Sequence, residues 1–445
     1  MANIFVDLKK PLGRIKPMNA VDDGPVGLII PHQNRNNFEE YKAARIPYAR
    51  NHDASEWIDY GGEFVVDIYN LFPNFDADPY DPANYDFPVT DALVKFTQDT
   101  GTEVYYRLGA RIEHQCKKYR TVKPKDYQKW AVICEHVIRH YNEGWANGFH
   151  YGLKYWEIWN EPDLDSDETP ANQKKNWSGT WQEFFEFFEV AAVHLKKCFP
   201  ELMIGGPAIA KLSGDFLDRF LAHMTRDGKH VPIDFFSWHW YGTDPKKMVQ
   251  RAKIVKEKLD RAGYTNVESH LNEWNYVANW AEKWLDTIKE IISLRGATFI
   301  AACMCEGQND PTVDMMMYYE VSPTTMNGIF DFYTCKPIKG YWALYAFSDL
   351  AELGTHVASS SDDPDVYVTA AKDENGNSAA LVCYYTNDDG REEKTVTVEL
   401  TSDNVTTEIY TVDEQYSYEK TATVNSKSIT LTMKPNSFAM LKSKR

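Results

Sequence analysis

Two short stretches carry the residue types of proton transfer and nucleophilic attack. Trp156-Glu157-Ile158-Trp159-Asn160-Glu161-Pro162 is an alternating, aromatic-rich run broken by a proline, and it leaves the Glu161 carboxylate beside the Asn160 amide. Further along, Leu271-Asn272-Glu273-Trp274-Asn275 ends in the same way on Glu273. Two carboxyls on two strand tips can divide one task. One, protonated at rest, gives its proton to a leaving oxygen, while the other, ionised, attacks the carbon that oxygen leaves. The bond this equipment breaks is a glycosidic one. In this reading Glu161 is the acid/base and Glu273 the nucleophile. Burial and the like charge of Glu273 would raise the proton affinity of Glu161. Arg50, His239 and Tyr241 would hold Glu273 ionised through charge-assisted hydrogen bonds. Asn160 would donate to the sugar 2-hydroxyl.

Those tips need a frame that brings distant strand ends to one face. Short apolar runs at 18–21, 48–51, 103–108, 155–160, 203–206, 234–240, 268–273 and 315–321 alternate with amphipathic stretches. The stretches lie at 36–45, 90–101, 125–141, 181–198, 215–227, 245–262, 281–294 and 339–353. Eight such pairs predict an α/β fold that closes as a (β/α)8 TIM barrel, with all βα loops on its C-terminal face. A doubly wound open sheet competes, but its glycine-rich phosphate turn is missing from the sequence. The predicted substrate-binding set on that face is Arg50, His52, Asp53, Arg107, Asn160, His239, Tyr241, Trp274, Tyr319 and Glu320. Glu113, His114 and Glu306 are weaker candidates. Long loops at 53–87, 110–124, 162–176 and 306–336 would wall the site.

The barrel is expected over 18–355. Beyond it, period-two alternation at 366–371, 378–385, 394–400, 406–412, 428–432 and 437–442, separated by Asn-, Asp- and Gly-rich turns, predicts a small antiparallel β-sandwich over 356–445. The strand-like segment Ile4–Leu8, within 1–17, would join it or brace the barrel from below. A scaffold role is the default for this second unit.

Composition excludes other classes. A net charge of −17 repels nucleic acid and anionic membrane. No apolar run approaches a membrane span, and the first residues lack the sections of a secretory signal, so a cytoplasmic enzyme is expected. Seven scattered cysteines without CxxC spacing read as reduced thiols. Cys303-Met304-Cys305 reads as a buried segment, and no metal or cofactor is called for. Asp163-Leu164-Asp165-Ser166-Asp167-Glu168 imitates a calcium loop, but Glu168 and Lys174 stand where an EF-hand needs glycine and glutamate. The partner class left is a small neutral oligosaccharide or glycoside; the oligomeric state is not legible.

The motifs also resemble a known family. Trp156 to Leu164 is similar to the acid/base signature of glycoside hydrolase family 39, within the (β/α)8 clan of retaining glycosidases. Arg50-Asn51-His52 resembles that family's Arg-x-His element, and His239-Trp240-Tyr241 the strand-six His-x-Tyr of the clan. Asn327-Gly328-Ile329-Phe330-Asp331, Lys336-Pro337 and Tyr341-Trp342-Ala343-Leu344 look like its closing strand and helix. The resemblance implies the same roles for Glu161 and Glu273, and an exo-acting enzyme that removes one terminal sugar by double displacement. The β-xylosidase type is preferred. The α-L-iduronidase, β-galactosidase, β-glucosidase and α-L-arabinofuranosidase types are alternatives, as is a barrel that binds sugar without cleaving it. Three places depart from the family pattern: Asp53-Ala54-Ser55, the basic Arg107-Leu108-Gly109-Ala110-Arg111, and Tyr318-Tyr319-Glu320. The two arginines keep a uronic acid among the candidate sugars.

Overall fold

The structure, a computed structural model, describes residues 1–27, 36–53, 65–324, 326–401 and 406–444. The segment 54–64 of the long second loop lies outside the described residues. In chain order the elements are β1 (Ala2–Arg14), β2 (Ala20–Asp22), α1 (Phe38–Ala43), β3 (Tyr48–Arg50), α2 (Ile68–Leu71), α3 (Pro88–Asp99), β4 (Glu103–Leu108), α4 (Tyr127–Glu143), β5 (Tyr155–Ile158) and α5 (Trp181–Cys198). Then follow β6 (Met203–Ile209), α6 (Phe216–Met224), β7 (Phe235–Gly242), α7 (Pro245–Arg261), β8 (Glu268–Tyr276), α8 (Trp284–Ile291), α9 (Leu294–Asn309), β9 (Met315–Tyr318) and α10 (Tyr341–Leu353). The chain ends with β10 (Thr355–Ser361), β11 (Val366–Lys372), β12 (Ser378–Tyr384), β13 (Lys394–Leu400), β14 (Thr406–Val412), β15 (Ser417–Val424), β16 (Ser428–Met433) and β17 (Ser437–Lys444).

Strands β2 to β9 close into a parallel barrel, with β2 paired to β3 on one side and to β9 on the other. Local chemistry sets the helix starts. Thr180 and Glu183 form a reciprocal capping box before α5, Asp126 caps α4, and Asp244 with Pro245 opens α7. On α5, Phe184, Phe185, Phe187, Phe188, Ala191, Ala192 and Leu195 recur at helical spacing and are buried against the barrel. Between β8 and β9 the chain makes two helices where the sequence pattern suggested one. The missed one, α9, is nearly all buried and so lacks an amphipathic signature; Cys303, Met304 and Cys305 sit in its core.

Inside the barrel the side chains form layers. The floor is apolar: Ala20, Tyr105, Tyr155, Phe235, Met315 and Met317. Above it lies a polar layer of Asp22, Arg50, Glu157, Ser237 and Asn272, all fully buried. The tips at the C-terminal end stand on that layer.

The second unit is a nine-stranded sheet in the order β15-β14-β17-β12-β11-β10-β1-β13-β16. All its pairs are antiparallel except β1 with β13. One face of its central strands (Val366, Val368, Ala380, Val382, Leu441) packs with β1, β13 and β16 in its own core. The other face (Tyr367, Leu381, Cys383, Phe438, Met440) belongs to the barrel's core, against α9 and α10. Two-sided burial explains why β12 and β17 show blurred alternation in the sequence. Among the described residues no helix is long and apolar enough to cross a membrane.

Candidate active site

Glu161 follows β5 on a strained backbone. Trp159 has φ of 74° and Glu161 of 45°, both in the left-handed region that side chains avoid. The neighbours hold this shape. The Trp159 indole donates to the Asn176 carbonyl at 2.9 Å and packs on Trp130, Trp177 and Phe187. The Glu161 amide donates to the Ala208 carbonyl at 2.9 Å. A side chain at position 109 would strike the Trp159 ring, so glycine stands there, itself at φ 132°.

Arg50 is the hub beneath the carboxyls. Fully buried, its guanidinium donates to Glu157 at 2.7 Å, Asp22 at 2.9 Å, Asn160 Oδ1 at 2.6 Å and Glu273 Oε2 at 3.4 Å. Glu157 in turn accepts from Ser237 at 2.6 Å and Asn272 at 2.5 Å. Because arginine only donates, its bond to Asn160 fixes the amide oxygen inward and leaves the Asn160 NH2 as the group to offer a ligand.

Glu161 and Glu273 face each other across His239. The nearest oxygens of the two carboxyls and a His239 ring nitrogen all lie within 4.8 Å of one another. His239 Nδ1 is 2.9 Å from Glu161 Oε1 and 3.4 Å from Glu273 Oε2. Burial holds the imidazole neutral, with a pKa lowered to about 4. Its Nε2 has no hydrogen-bond partner among the described residues. A buried lone pair is cheaper to leave unmet than a buried N–H, so the single proton is assigned to Nδ1, donated toward both carboxyls. Glu273 also accepts from the Tyr241 hydroxyl, and Glu161 from Asn176 Nδ2 at 3.1 Å.

Burial pushes both carboxyls up to about 7. For Glu273, the repulsion of Glu161 adds to this, while His239, Arg50 and Tyr241 pull it back. The sequence reading expected Arg50, His239 and Tyr241 to keep Glu273 ionised. All three do contact it, yet desolvation outweighs them, and the two carboxyls behave as a pair that holds a proton near neutrality.

The rest of the predicted set divides. Asp53 and Tyr319 are brought to the rim, where the Tyr319 hydroxyl donates to Asp53 and Arg111 pairs with Asp53 at 3.1 Å. Glu320 is buried beside Asp23; burial and that neighbour raise its pKa strongly, and Thr324 donates to it. His52 lies behind Asp53 and accepts at Nδ1 from Arg107 at 3.1 Å. Arg107 has no exposed surface; its Nη2 donates to Asp67 at 2.6 Å and to the His52 carbonyl at 2.7 Å and braces the wall, while its Nη1 has no hydrogen-bond partner among the described residues. Trp274 points away from the site: its ring packs against Tyr318 and Phe299 of α9, because alternation along β8 sends it to the face opposite Glu273. Glu113 accepts from the backbone amides of Tyr119, Arg120 and Thr121 and pins its own loop. Glu306 lies on α9, among the residues that line a cavity against the second sheet. The false calcium loop is pinned to the segment after β6, with Asp163 accepting from the amides of Ala210 and Lys211 at 2.8 Å each.

Sequence reasoning missed Asn176, Asp22 and Trp280. Asn176 sits in an irregular loop without any local signal. Trp280 follows β8, is 59% exposed, meets the Tyr241 ring edge-on at 4.9 Å and stacks on Trp284 at 5.5 Å. An exposed indole beside a half-buried tyrosine of the site was detectable only once β8 was seen to run on to Tyr276.

Residues 83–401 match the sequence profile of Glycosyl hydrolases family 39. Beta-xylosidase of Geobacillus stearothermophilus is 28% identical over 228 residues, 46% of this chain and 40% of that protein. Beta-xylosidase of Caldicellulosiruptor saccharolyticus is 29% identical over 248 residues, 49% of this chain and 46% of that protein. The matches thus span under half the length of either relative. A solved glucosidase from Croceicoccus marinus has the same fold at a TM-score of 0.80 and 22% identity, covering 100% of this chain and 99% of that one. A monomeric beta-xylosidase from Caulobacter crescentus CB15 does so at 0.70 and 16%, covering 99% of each.

Proposed function

This chain belongs to glycosyl hydrolases family 39, and from that premise we propose that it is a retaining, exo-acting glycosidase of the β-xylosidase type. The observation that carries the reading is the approach of Glu161 and Glu273, whose nearest oxygens lie within 4.8 Å. Retaining enzymes hold their carboxyls about 5–5.5 Å apart, whereas inverting ones leave about 6.5–9.5 Å for a water.

The cycle follows from the charges. Glu161 protonates the leaving oxygen while Glu273 attacks the anomeric carbon; the glycosidic C–O bond breaks as the ester bond forms. Esterification removes the charge of Glu273, so Glu161, now ionised, becomes a weaker base than before and is free to take a proton from water. That water displaces Glu273 and returns the proton to Glu161. The NH2 of Asn160 is positioned by Arg50 to bond the sugar 2-hydroxyl, a contact that strengthens as positive charge develops on the ring.

Two features support the choice of sugar and mode. The rim formed by β9, β2, β3 and β4 is tied across by the Tyr319–Asp53–Arg111 contacts, which favours a pocket closed on the non-reducing side. Arg111 is already paired with Asp53 and Arg107 with Asp67, so a neutral sugar suits the rim better than a uronic acid. Trp280, on the open side next to Tyr241, offers a ring for the leaving group.

A panel of aryl glycosides, run with wild type and with Glu273→Gly plus azide, tests this. Cleavage of one member by the wild type, and an azide adduct of inverted configuration from the variant, are the expected results. No turnover across the panel while calorimetry still detects sugar binding would replace the enzyme with a sugar-binding barrel.

A further inference from the structure

Outside the catalytic face, one cluster combines three different ligand types. On the outer ring of helices, His194 and Cys198 stand four residues apart on α5, one turn along the same face, and Glu135 of α4 lies opposite them. His194 Nε2 is 2.7 Å from Glu135 Oε2 and 3.8 Å from Cys198 Sγ. One atom from each of the three lies within 4.8 Å of the others, and all three side chains are half-buried. We propose that Glu135, His194 and Cys198 form a divalent-metal site of the zinc class that staples α4 to α5.

The geometry is close to what such an ion needs. Zinc–ligand bonds of about 2.0–2.3 Å at tetrahedral angles put the histidine nitrogen about 3.6 Å from the thiolate and about 3.3 Å from the carboxylate oxygen. The sulfur distance already agrees. Glu135 must withdraw by roughly half an ångström, and its neighbours permit this, since it is a flexible side chain on a partly exposed surface.

The supporting groups are also in place. Arg139 donates to Glu135 Oε1 at 2.9 Å, so it orients the carboxylate and leaves Oε2 for the metal. Gln128 meets His194 Nδ1 at 2.8 Å; with its amide turned so that the oxygen faces the ring, it accepts the Nδ1 proton and commits Nε2 as the ligand. A thiolate, an imidazole and a carboxylate with a fourth position open to solvent match zinc, or cobalt as its spectroscopic substitute, and not magnesium or calcium. The opposing factor is the Arg139 charge, which lowers affinity without blocking the ligand atoms.

The site is separate from the proposed glycosidase centre, and it stands or falls independently of that reading. Cobalt(II) is added to the full-length protein carrying Cys116→Ser and Glu161→Gln, which remove an exposed thiol and weaken the other set of three ligands. The expected result is one bound ion with a thiolate-to-cobalt absorption band and visible bands of tetrahedral intensity, both lost on adding zinc. Cys198→Ser should abolish the charge-transfer band, His194→Ala should abolish binding, and Gln128→Ala should weaken it by about 10–100-fold. Circular dichroism checks that each variant is folded; Cys198→Ser, a one-atom change, carries the test if His194→Ala is not. Absence of the band in the parent protein, or its survival in Cys198→Ser, overturns the site.

Discussion

Tyr241→Phe removes a single oxygen from the site and should pull the two carboxyls apart in pH. The Tyr241 hydroxyl donates to Glu273, and burial beside that carboxyl keeps the phenol protonated far above neutrality, so it remains a donor throughout the working range. The bond favours ionised Glu273; deleting it raises the proton affinity of that group. A hydrogen bond to a charged group contributes about 1.5–3 kcal/mol, and one pKa unit corresponds to about 1.4 kcal/mol, so the shift is roughly 1–2 units upward. Glu273 starts at about 7, as does Glu161, and the limbs of the rate profile belong to the pair. With Glu273 now the weaker acid, the pair's proton shifts from Glu161 onto Glu273: the acid limb of kcat/KM moves by only a few tenths, the basic limb rises by about 1–2 units, and the plateau between them falls about 5–50-fold. On the acid side the variant therefore loses about 10–100-fold in kcat/KM, and it approaches the wild-type rate only above the raised basic limb. The assay is kcat/KM from acid to alkaline pH on the aryl glycoside that the wild type cleaves, with thermal midpoints to verify folding. A profile whose limbs and height match wild type, or an equal loss at every pH, would refute the assignment of Tyr241 to Glu273.

Arg50→Met leaves Asp22, Glu157 and Glu273 buried around an uncharged thioether, and should cost on the order of 3–5 kcal/mol of stability in denaturant titrations; a midpoint within error of wild type would show the hub to be dispensable. Glu161→Gln should raise the melting temperature at alkaline pH and leave it unchanged at pH 5. The sign follows from burial: the folded pKa, about 7, lies above the unfolded value, so the stability this group contributes is complete below the unfolded pKa and is lost as pH rises through 7. The gain is on the order of 1–3 kcal/mol, and a variant that melts below wild type at alkaline pH contradicts it. Trp280→Ala should raise KM for a disaccharide about five- to tenfold, the equivalent of about 1 kcal/mol of ring contact, with little change for a methyl glycoside. Equal losses on both substrates would place Trp280 outside the leaving-group side. Asp53→Asn, which frees Arg111 from its ion pair, should improve the relative kcat/KM for a uronide over the neutral glycoside; no change in that ratio would remove the rim charge from substrate choice.

The barrel was legible because its strands are short, apolar and regularly spaced, and because strand tips carry polar residues that no core would place there. Glu161, Glu273, Arg50, His239 and Tyr241 could be singled out for that reason, and the structure gathers them. What sequence could not convey is the direction of a tip. Arg107 and Trp274 have the residue types of a sugar site, yet the first turns to Asp67 and the second to α9. Their fate depends on partners that lie far away in the chain or on the opposite strand face. Asn176 and Trp280 were invisible for the converse reason, since loops without periodicity deliver them to the site. Helix α9 escaped because it is wrapped on all sides, and strand β15 because its mostly exposed residues alternate weakly.

The pairing of β1 with both β10 and β13 has a consequence for the order of events during synthesis. Ile4 aligns with Ser361, and Ala2 with Val396, so contacts made by the earliest residues of this sequence wait for some of the latest. Closing such long loops slows folding, and meanwhile Ala2, Ile4, Val6 and Leu8 have neither their sheet partners nor their core. A nascent chain stalled or cut before β10 therefore exposes an apolar strand with unpaired edges on an otherwise near-complete barrel. Such a fragment is a template for edge-to-edge aggregation, and the last hundred or so residues act as its built-in protection.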